Sequence, residues 1–273
     1  MNTPLTYYIV GLLFVSSIVH IHAQETPTRP TSSQLEEPLT LLWINTYGNL
    51  RLTKRLFWVA QTHFRFQETG NTPFVGQVAQ LYNRHAISYL FSKEFNMSVG
   101  GVLRLNFNTS DEPVDNNMVP EWRIWHEYQF AMPLASVVVY HRIRIEHRWS
   151  KGFQDDSEFI FRNRWRYMLR VKIPIGSPKL SPQTFYIGPE AELIMQSGKP
   201  VIDSPMEDLR LHASFGYILT PRVTVAAGIM YSIGQELADG DFYKQKWTPR
   251  LHLYFSPDLR KVRNKLPSIH LGD

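Results

Sequence analysis

The sequence contains no cysteine. A chain without thiols has no disulfide, no zinc–cysteine site, no cysteine nucleophile and no cysteine to carry a lipid anchor. Charge is also sparse, because Asp, Glu, Lys and Arg together make up only 19% of the residues. The chain is nevertheless 43% hydrophobic and 13% aromatic, which is too apolar for a disordered protein. The composition therefore predicts a folded chain that is stabilised without disulfides.

Long apolar runs are missing apart from one near the amino terminus. Residues 5–19 read LTYYIVGLLFVSSIV and carry no charge, but a membrane-spanning helix needs roughly 20 apolar residues. With small Ala23 at a plausible cleavage point, this stretch predicts a signal peptide over residues 1–23, with a buried N-terminal helix as the alternative. The mean hydropathy of −0.26 excludes a bundle of membrane helices.

The composition divides the rest of the chain into three parts. Residues 24–38 are rich in proline, Thr, Ser and Glu and predict an extended linker. Residues 39–256 form the folded part, and residues 257–273 form a basic C-terminal tail. The tail contains the one true basic cluster, Arg260, Lys261, Arg263 and Lys265. It is interpreted either as a solvated terminus or as a segment that contacts lipid phosphates or an acidic periplasmic partner.

The folded part alternates with a period of two, which is the period of a β-strand. The clearest segment is residues 137–149, VVVYHRIRIEHRW, in which apolar residues and His share one face while Arg and Glu occupy the other. Residues 159–173 repeat the pattern, and weaker copies bring the count to about eleven candidate strands. Several are longer than most strands of globular proteins. The sequence therefore predicts an all-β protein.

The polar face separates a soluble sandwich from a membrane barrel. It is dominated by Arg with interleaved Glu, and these residues suit the interior of a closed barrel because guanidinium groups pair with carboxylates and stay charged when partly desolvated. The predicted lumen-lining residues are Arg104, Arg123, Glu127, Arg142, Arg144, Glu146, Arg148, Arg162, Arg164, Arg166, Arg170, Glu190, Glu192 and Arg210.

The apolar face also carries aromatic residues of the kind that form girdles at the two bilayer interfaces. The predicted interface aromatics are Trp58, Trp122, Tyr128, Trp149, Trp165 and Tyr167. Short and long connections alternate, as in outer-membrane barrels, and residues 68–74 are among the predicted long loops. Because such barrels usually have an even number of strands, the prediction is an antiparallel transmembrane β-barrel of about twelve strands, with ten as the alternative.

Several segments together resemble a known family. They are LWINTYGNLRLTKRLFWVAQTHFRF, EWRIWHEYQF, HRIRIEHRW and FRNRWRYMLRVKIPI, and the likeness spans nearly all of the chain after the signal peptide. They resemble the domain of unknown function 2490 family, outer-membrane β-barrel proteins of Bacteroidetes. The resemblance implies a signal-bearing barrel in the bacterial outer membrane and no defined chemistry. The sequence departs from the common barrel ending, because residues 256–273 follow Phe255, the aromatic residue that would end the last strand.

Two functions from different classes remain open. In the first, the barrel is a structural or accessory protein, or a narrow channel whose excess of Arg over Glu favours a small anionic solute. In the second, it is a lipid-modifying enzyme, a hydrolase or acyltransferase, with a catalytic triad near its outer rim. A soluble secreted sandwich or barrel is a third interpretation, and it requires Trp58, Trp149 and Trp165 to pack in a core.

No catalytic or metal-binding residue is assigned. The histidines offer many candidates but no distinctive spacing to a serine: His63, His85, His126, His141, His147, His212 and His252. No cofactor is predicted. No nucleic-acid partner is predicted either, because Arg that alternates with apolar residues belongs to a two-faced sheet and not to a solvated basic patch. The expected partners are outer-membrane lipids and the barrel assembly machinery, and the oligomeric state is left open.

Overall fold

A computed structural model describes residues 34–110, 112–199, 201, 205–235, 241–263 and 265. All regular structure in these ranges is β-strand, and no helix in them could cross a membrane. The strands are β1 (Gln34–Leu35), β2 (Leu39–Arg51), β3 (Leu56–Thr69), β4 (Thr72–Leu90), β5 (Phe95–Phe107), β6 (Met118–Leu134), β7 (Val137–Ser150), β8 (Ile160–Ile175), β9 (Phe185–Ser197), β10 (Met206–Thr220), β11 (Val223–Gln235) and β12 (Phe242–Phe255).

Strands β2 to β12 close into a barrel. Each pairs with its neighbour in the chain in antiparallel fashion, and β12 returns to pair with β2 in parallel. An odd number of up-and-down strands leaves the first and last strands pointing the same way, so their pairing must be parallel. The fully antiparallel prediction is therefore wrong at this pair, and the short β1 also pairs with β12 in parallel. The twelve described strands comprise eleven in the closed barrel and the two-residue β1, which pairs with the start of β12.

The parallel pair of β2 and β12, called the seam below, is reinforced at one end. Its register runs from Lys246 opposite Leu39 to Phe255 opposite Gly48. The ring of Phe255 lies so close to Gly48 that a Cβ atom there would be 2.6 Å from Cζ of Phe255. The C-terminal tail continues past the seam, because the amide of Arg51 donates to the carbonyl of Pro257, and the amide of Leu259 donates to the carbonyl of Arg51.

All eleven strands of the barrel coincide with segments of predicted alternation. The largest difference is at the predicted loop over residues 68–74. There β3 and β4 continue as a hairpin to Thr69 and Thr72, and only Gly70 and Asn71 form the turn. The loop prediction is wrong because polar residues at the end of a hairpin can face water on both sides. In such residues polar and apolar side chains no longer alternate, but the backbone hydrogen bonds between the two strands continue. Here the pairing has bulges near Arg65 and Gln67.

The two ends of the barrel differ. One end, called the turn end, has the connections 52–55, 91–94, 135–136, 176–184 and 221–222. The other, called the loop end, has the hairpin turn 70–71 and the connections 108–117, 151–159, 198–205 and 236–241. Inside the half nearer the turn end, Phe57, Leu90, Ala131, Tyr140 and Met168 form an apolar cluster. This cluster fills part of the interior with side chains that carry few polar groups.

The predicted signal peptide, residues 1–23, lies outside the described residues, as does most of the predicted linker. Of the linker, residues 34–38 are described. They contain β1, and the amide of Glu36 donates to the carbonyl of Tyr243. This part of the linker therefore extends the edge of β12 at the loop end.

Candidate functional site

The fourteen predicted lumen-lining residues lie on the interior face of the barrel. On β7, Arg142, Arg144, Glu146 and Arg148 are all buried, while Ile143 between them is 43% exposed on the outer face. The same alternation holds on β8, where Arg164 and Arg170 are buried and Trp165 is 49% exposed. Because side chains alternate between the two faces of a strand, every charged side chain of β7 and β8 points to the interior. The charged side chains of different strands can therefore contact one another inside the barrel.

Glu146 is the centre of the interior ion pairs. Its side chain is 0% exposed, and five guanidinium groups lie within 4.0 Å of its carboxylate oxygens. Arg123 Nη1 is 2.8 Å from Oε2, and Arg166 Nη1 is 3.0 Å from Oε1. Arg84, Arg144 and Arg164 are the other three partners. One buried carboxylate thus joins arginines from four strands, β4, β6, β7 and β8.

Other carboxylates repeat this arrangement on either side of Glu146. The shared feature is that each lies between two or more arginines, which is how buried charges are usually satisfied. Glu121 contacts Arg104, Arg123 and Arg148; Glu127 contacts Arg142 and Arg144; Glu192 contacts Arg142, Arg166 and Arg210; Glu190 contacts Arg170 and Arg250; and Glu207 contacts Arg148 and Arg164. Because arginines are shared between them, the contacts of five carboxylates form one connected network: Glu146, Glu121, Glu127, Glu192 and Glu207. Glu190 lies beside this network and pairs with Arg170 and Arg250.

Several members of the interior were not among the predicted residues. Glu121 is 1% exposed and Arg84 is 6% exposed, and Arg65, Glu207 and Arg250 also belong to the interior set. Glu121 and Glu207 precede the first apolar residues from which the strands were predicted, at Trp122 and Leu209. Glu121 could have been predicted from the sequence, because it lies two residues before Arg123 and therefore on the same face of the strand.

A small cavity lies within this network. Its volume is about 40 Å³, and it is lined by Trp43, Tyr47, His63, Arg65, Tyr82, Arg84, Arg142, Arg144, Arg166, Arg170, Glu190, Glu192, Arg210 and Arg250. A single water needs about 10–15 Å³ measured this way, so the cavity holds a few water-sized particles. Arginines outnumber carboxylates around it.

The six predicted interface aromatics lie on the outer face. Trp122 is 52% exposed and pairs across the strands with Trp149, whose ring packs 5.1 Å from Phe161 near the loop end. Trp58 is 39% exposed near the turn end, where its Nε1 donates to Nδ1 of His85. Trp165, Tyr167 and Tyr128 lie further from the strand ends. None of the three tryptophans that a soluble core would require, Trp58, Trp149 and Trp165, is buried in the interior.

The histidines divide between the two faces. His63, His212 and His252 are buried inside the barrel, whereas His85, His126, His141 and His147 belong to the outer face. On the outer face, Nδ1 of His141 lies 2.7 Å from the Tyr167 hydroxyl, and Nδ1 of His147 lies 2.7 Å from Oδ1 of Asn163. Within the described ranges, no hydrogen bond joins a histidine to a serine, and no three His, Asp or Glu side chains are grouped as a metal site requires.

Comparison with known proteins identifies the family. A family model described as "Protein of unknown function (DUF2490)" matches residues 40–243, which begin in β2 and end in β12. Neither the curated proteins nor the solved structures gave a match. The matched range contains Glu146 and the arginines around it, together with the outer-face aromatics. Because the match covers most of the sequence, the chain belongs to the DUF2490 family.

Proposed function

We propose that this protein is a β-barrel of the bacterial outer membrane that acts as a structural or accessory barrel, with its interior closed by the Arg–Glu network. The observation that carries the proposal is the inverted polarity of the barrel. Charged side chains are buried inside, while large apolar side chains such as Leu211 (53% exposed), Phe215 (53%) and Ile124 (56%) cover the outside. A soluble monomer rarely exposes a continuous apolar surface of this extent, whereas a bilayer requires one.

The distribution of aromatic residues on the outer face agrees with a membrane setting. On β6, Trp122 lies near the loop end and Phe130 near the turn end, and both are exposed. Eight residues of strand span about 27 Å, or roughly 20 Å along the axis of a barrel whose strands tilt by about 40°. That separation is close to the apolar band of about 25 Å that outer-membrane barrels present to lipid.

The filled interior favours a structural or accessory role over an open channel. The cavity within the network has a volume of about 40 Å³, and the apolar cluster around Met168 occupies the half nearer the turn end. An open aqueous channel needs a continuous polar path, and small barrels lack one when side chains fill the interior. The partners of such a barrel are outer-membrane lipids and the barrel assembly machinery.

The absence of cysteine allows a clean test of the outer face. We expect a fluorophore attached through Leu211→Cys, on the middle of β10, to be strongly quenched by lipids brominated near the centre of their acyl chains. A matched label at Lys179→Cys, in the exposed connection 176–184, is expected to show little quenching. Equal and weak quenching at both positions, in a protein that stays soluble without detergent, would contradict the proposal.

A further inference from the structure

The cavity inside the barrel is surrounded by more positive charge than its own carboxylates neutralise. Glu190 and Glu192 are the only acidic residues among its described lining, and eight arginines line it with them. Glu192 is already shared by Arg142, Arg166 and Arg210. Buried charges are stable only when they are paired and hydrogen-bonded. The lining therefore favours an additional negative charge.

The imbalance is concentrated at Arg65, Arg84 and Arg250. Among the described residues Arg65 has no carboxylate partner, since its Nη1 donates to Gln80 and to the Tyr82 hydroxyl. The nearest carboxylates of Arg84 and Arg250 are 3.7 Å and 3.8 Å away, beyond hydrogen-bond length. Arg84 and Arg250 are 6% and 8% exposed, respectively. The Nε–H groups of all three are buried with no acceptor among the described protein groups.

Three of the arginines that line the cavity contact the indole ring of Trp43. The Cζ of Arg65 lies 3.7 Å from the centroid of the indole ring, and the Cζ atoms of Arg210 and Arg250 each lie 5.5 Å from it. Contact with the ring face stabilises a cation but does not satisfy its N–H donors. The indole Nε1–H of Trp43 is also buried without a described acceptor. Several donors and an excess of positive charge thus meet at one cavity.

We infer that this cavity binds a small monovalent inorganic anion of halide size, such as chloride. An anion there accepts hydrogen bonds from the buried N–H groups and neutralises the positive charge of arginines that the carboxylates do not balance. The volume of about 40 Å³ suits a particle of halide size and not a bulky organic ligand. The inference deepens the proposed function, because the anion completes the network that closes the barrel. Its test does not require a membrane.

The test compares chloride with gluconate, which is too large for the cavity, at constant ionic strength. In the detergent-folded protein, chloride is expected to raise the melting temperature in a saturable manner, because an anion that binds only the folded state stabilises it by mass action. The Arg65→Gln variant is expected to weaken the apparent chloride affinity about tenfold. Arg162→Gln is the matched control, because Arg162 donates to the Ser150 hydroxyl and is not part of the cavity lining.

Two outcomes overturn the inference. The first is a wild-type melting temperature that is the same in chloride and gluconate, and the second is an equal loss of the chloride effect in both variants, which indicates general screening. If Arg65→Gln does not fold, crystals of the wild-type protein soaked in bromide decide the matter. An anomalous peak within hydrogen-bond distance of Arg65 supports the site, and its absence contradicts it. A protein that binds chloride in detergent but is not embedded in lipid refutes only the proposed membrane function.

Discussion

At the scale of single residues, the interior of this barrel is organised by a few carboxylates that each hold several arginines. Glu146 is the extreme case, with five guanidinium groups within 4.0 Å and no exposed surface. Removing one partner of a buried ion pair is strongly destabilising because the remaining charges stay buried without compensation. Here the remaining charges are all positive, so they also repel one another.

The Glu146→Gln variant is therefore expected to lower the free energy of unfolding by about 3–5 kcal/mol. Urea unfolding of the protein folded in detergent, followed by tryptophan fluorescence, measures the change. Glu207→Gln is the matched control, because the Glu207 side chain is 21% exposed and, among the described arginines, pairs with just Arg148 and Arg164. Equal losses of stability in the two variants would show that Glu146 is not the centre of the network.

The sequence predicted which charges face inward but not how they pair. Alternation assigns Arg144 and Glu146 to one face, since that assignment depends only on the period of the strand. That Arg84 of β4 reaches Glu146 of β7 depends on the curvature of the closed barrel. The charge excess around Arg65 could not be predicted either, because β3 bears few other charges and its pattern gives no sign of a cavity.

At the scale of elements, the feature that distinguishes this barrel is the seam between β2 and β12. The alternation and turn residues predicted all eleven strands of the barrel, including the ends of β7, because those signals are local. Which strands meet when the sheet closes is not a local property. The even strand count that is usual for such barrels led to the prediction of twelve, whereas eleven strands close through one parallel pair.

The register of the seam predicts which residues can be joined covalently. Thr46 pairs with Leu253, and both side chains belong to the outer face. Neighbouring strands lie about 4.8 Å apart, which is within the range that a disulfide spans. The double variant Thr46→Cys with Leu253→Cys is therefore expected to form an intramolecular disulfide on mild oxidation, detected by its mobility on a non-reducing gel and by mass spectrometry.

The control for the seam shifts one cysteine by a single position. His252 is 5% exposed and faces the interior, so Thr46→Cys combined with His252→Cys places the two thiols on opposite faces of the sheet. This variant is expected to stay reduced under the same conditions. Cross-linking of both variants to the same extent, or of neither in the folded protein, would contradict the parallel register.

At the scale of the whole molecule, a charged interior and an apolar exterior are consequences of one sequence pattern. Alternation along the strands places the charged residues mainly on one face and leaves the other face largely apolar. Closure of the sheet turns these two faces into an inside and an outside. The sequence could predict this polarity because the Arg-rich face of β8 is unsuited to a soluble core. It could not predict how the interior packs, because that depends on the fit of buried side chains such as Trp125, Met168 and Ile194.

Conductance in planar bilayers can decide whether this protein is a membrane barrel with a closed interior. The protein is refolded, its insertion is verified by a heat-dependent shift in gel mobility, and the current is recorded in a salt gradient. We expect an inserted protein that carries no steady current, because the proposed closed interior leaves a cavity of only about 40 Å³ within the Arg–Glu network. Steady, anion-selective openings of the wild-type protein would contradict it and would identify the Arg–Glu network as the lining of a pore.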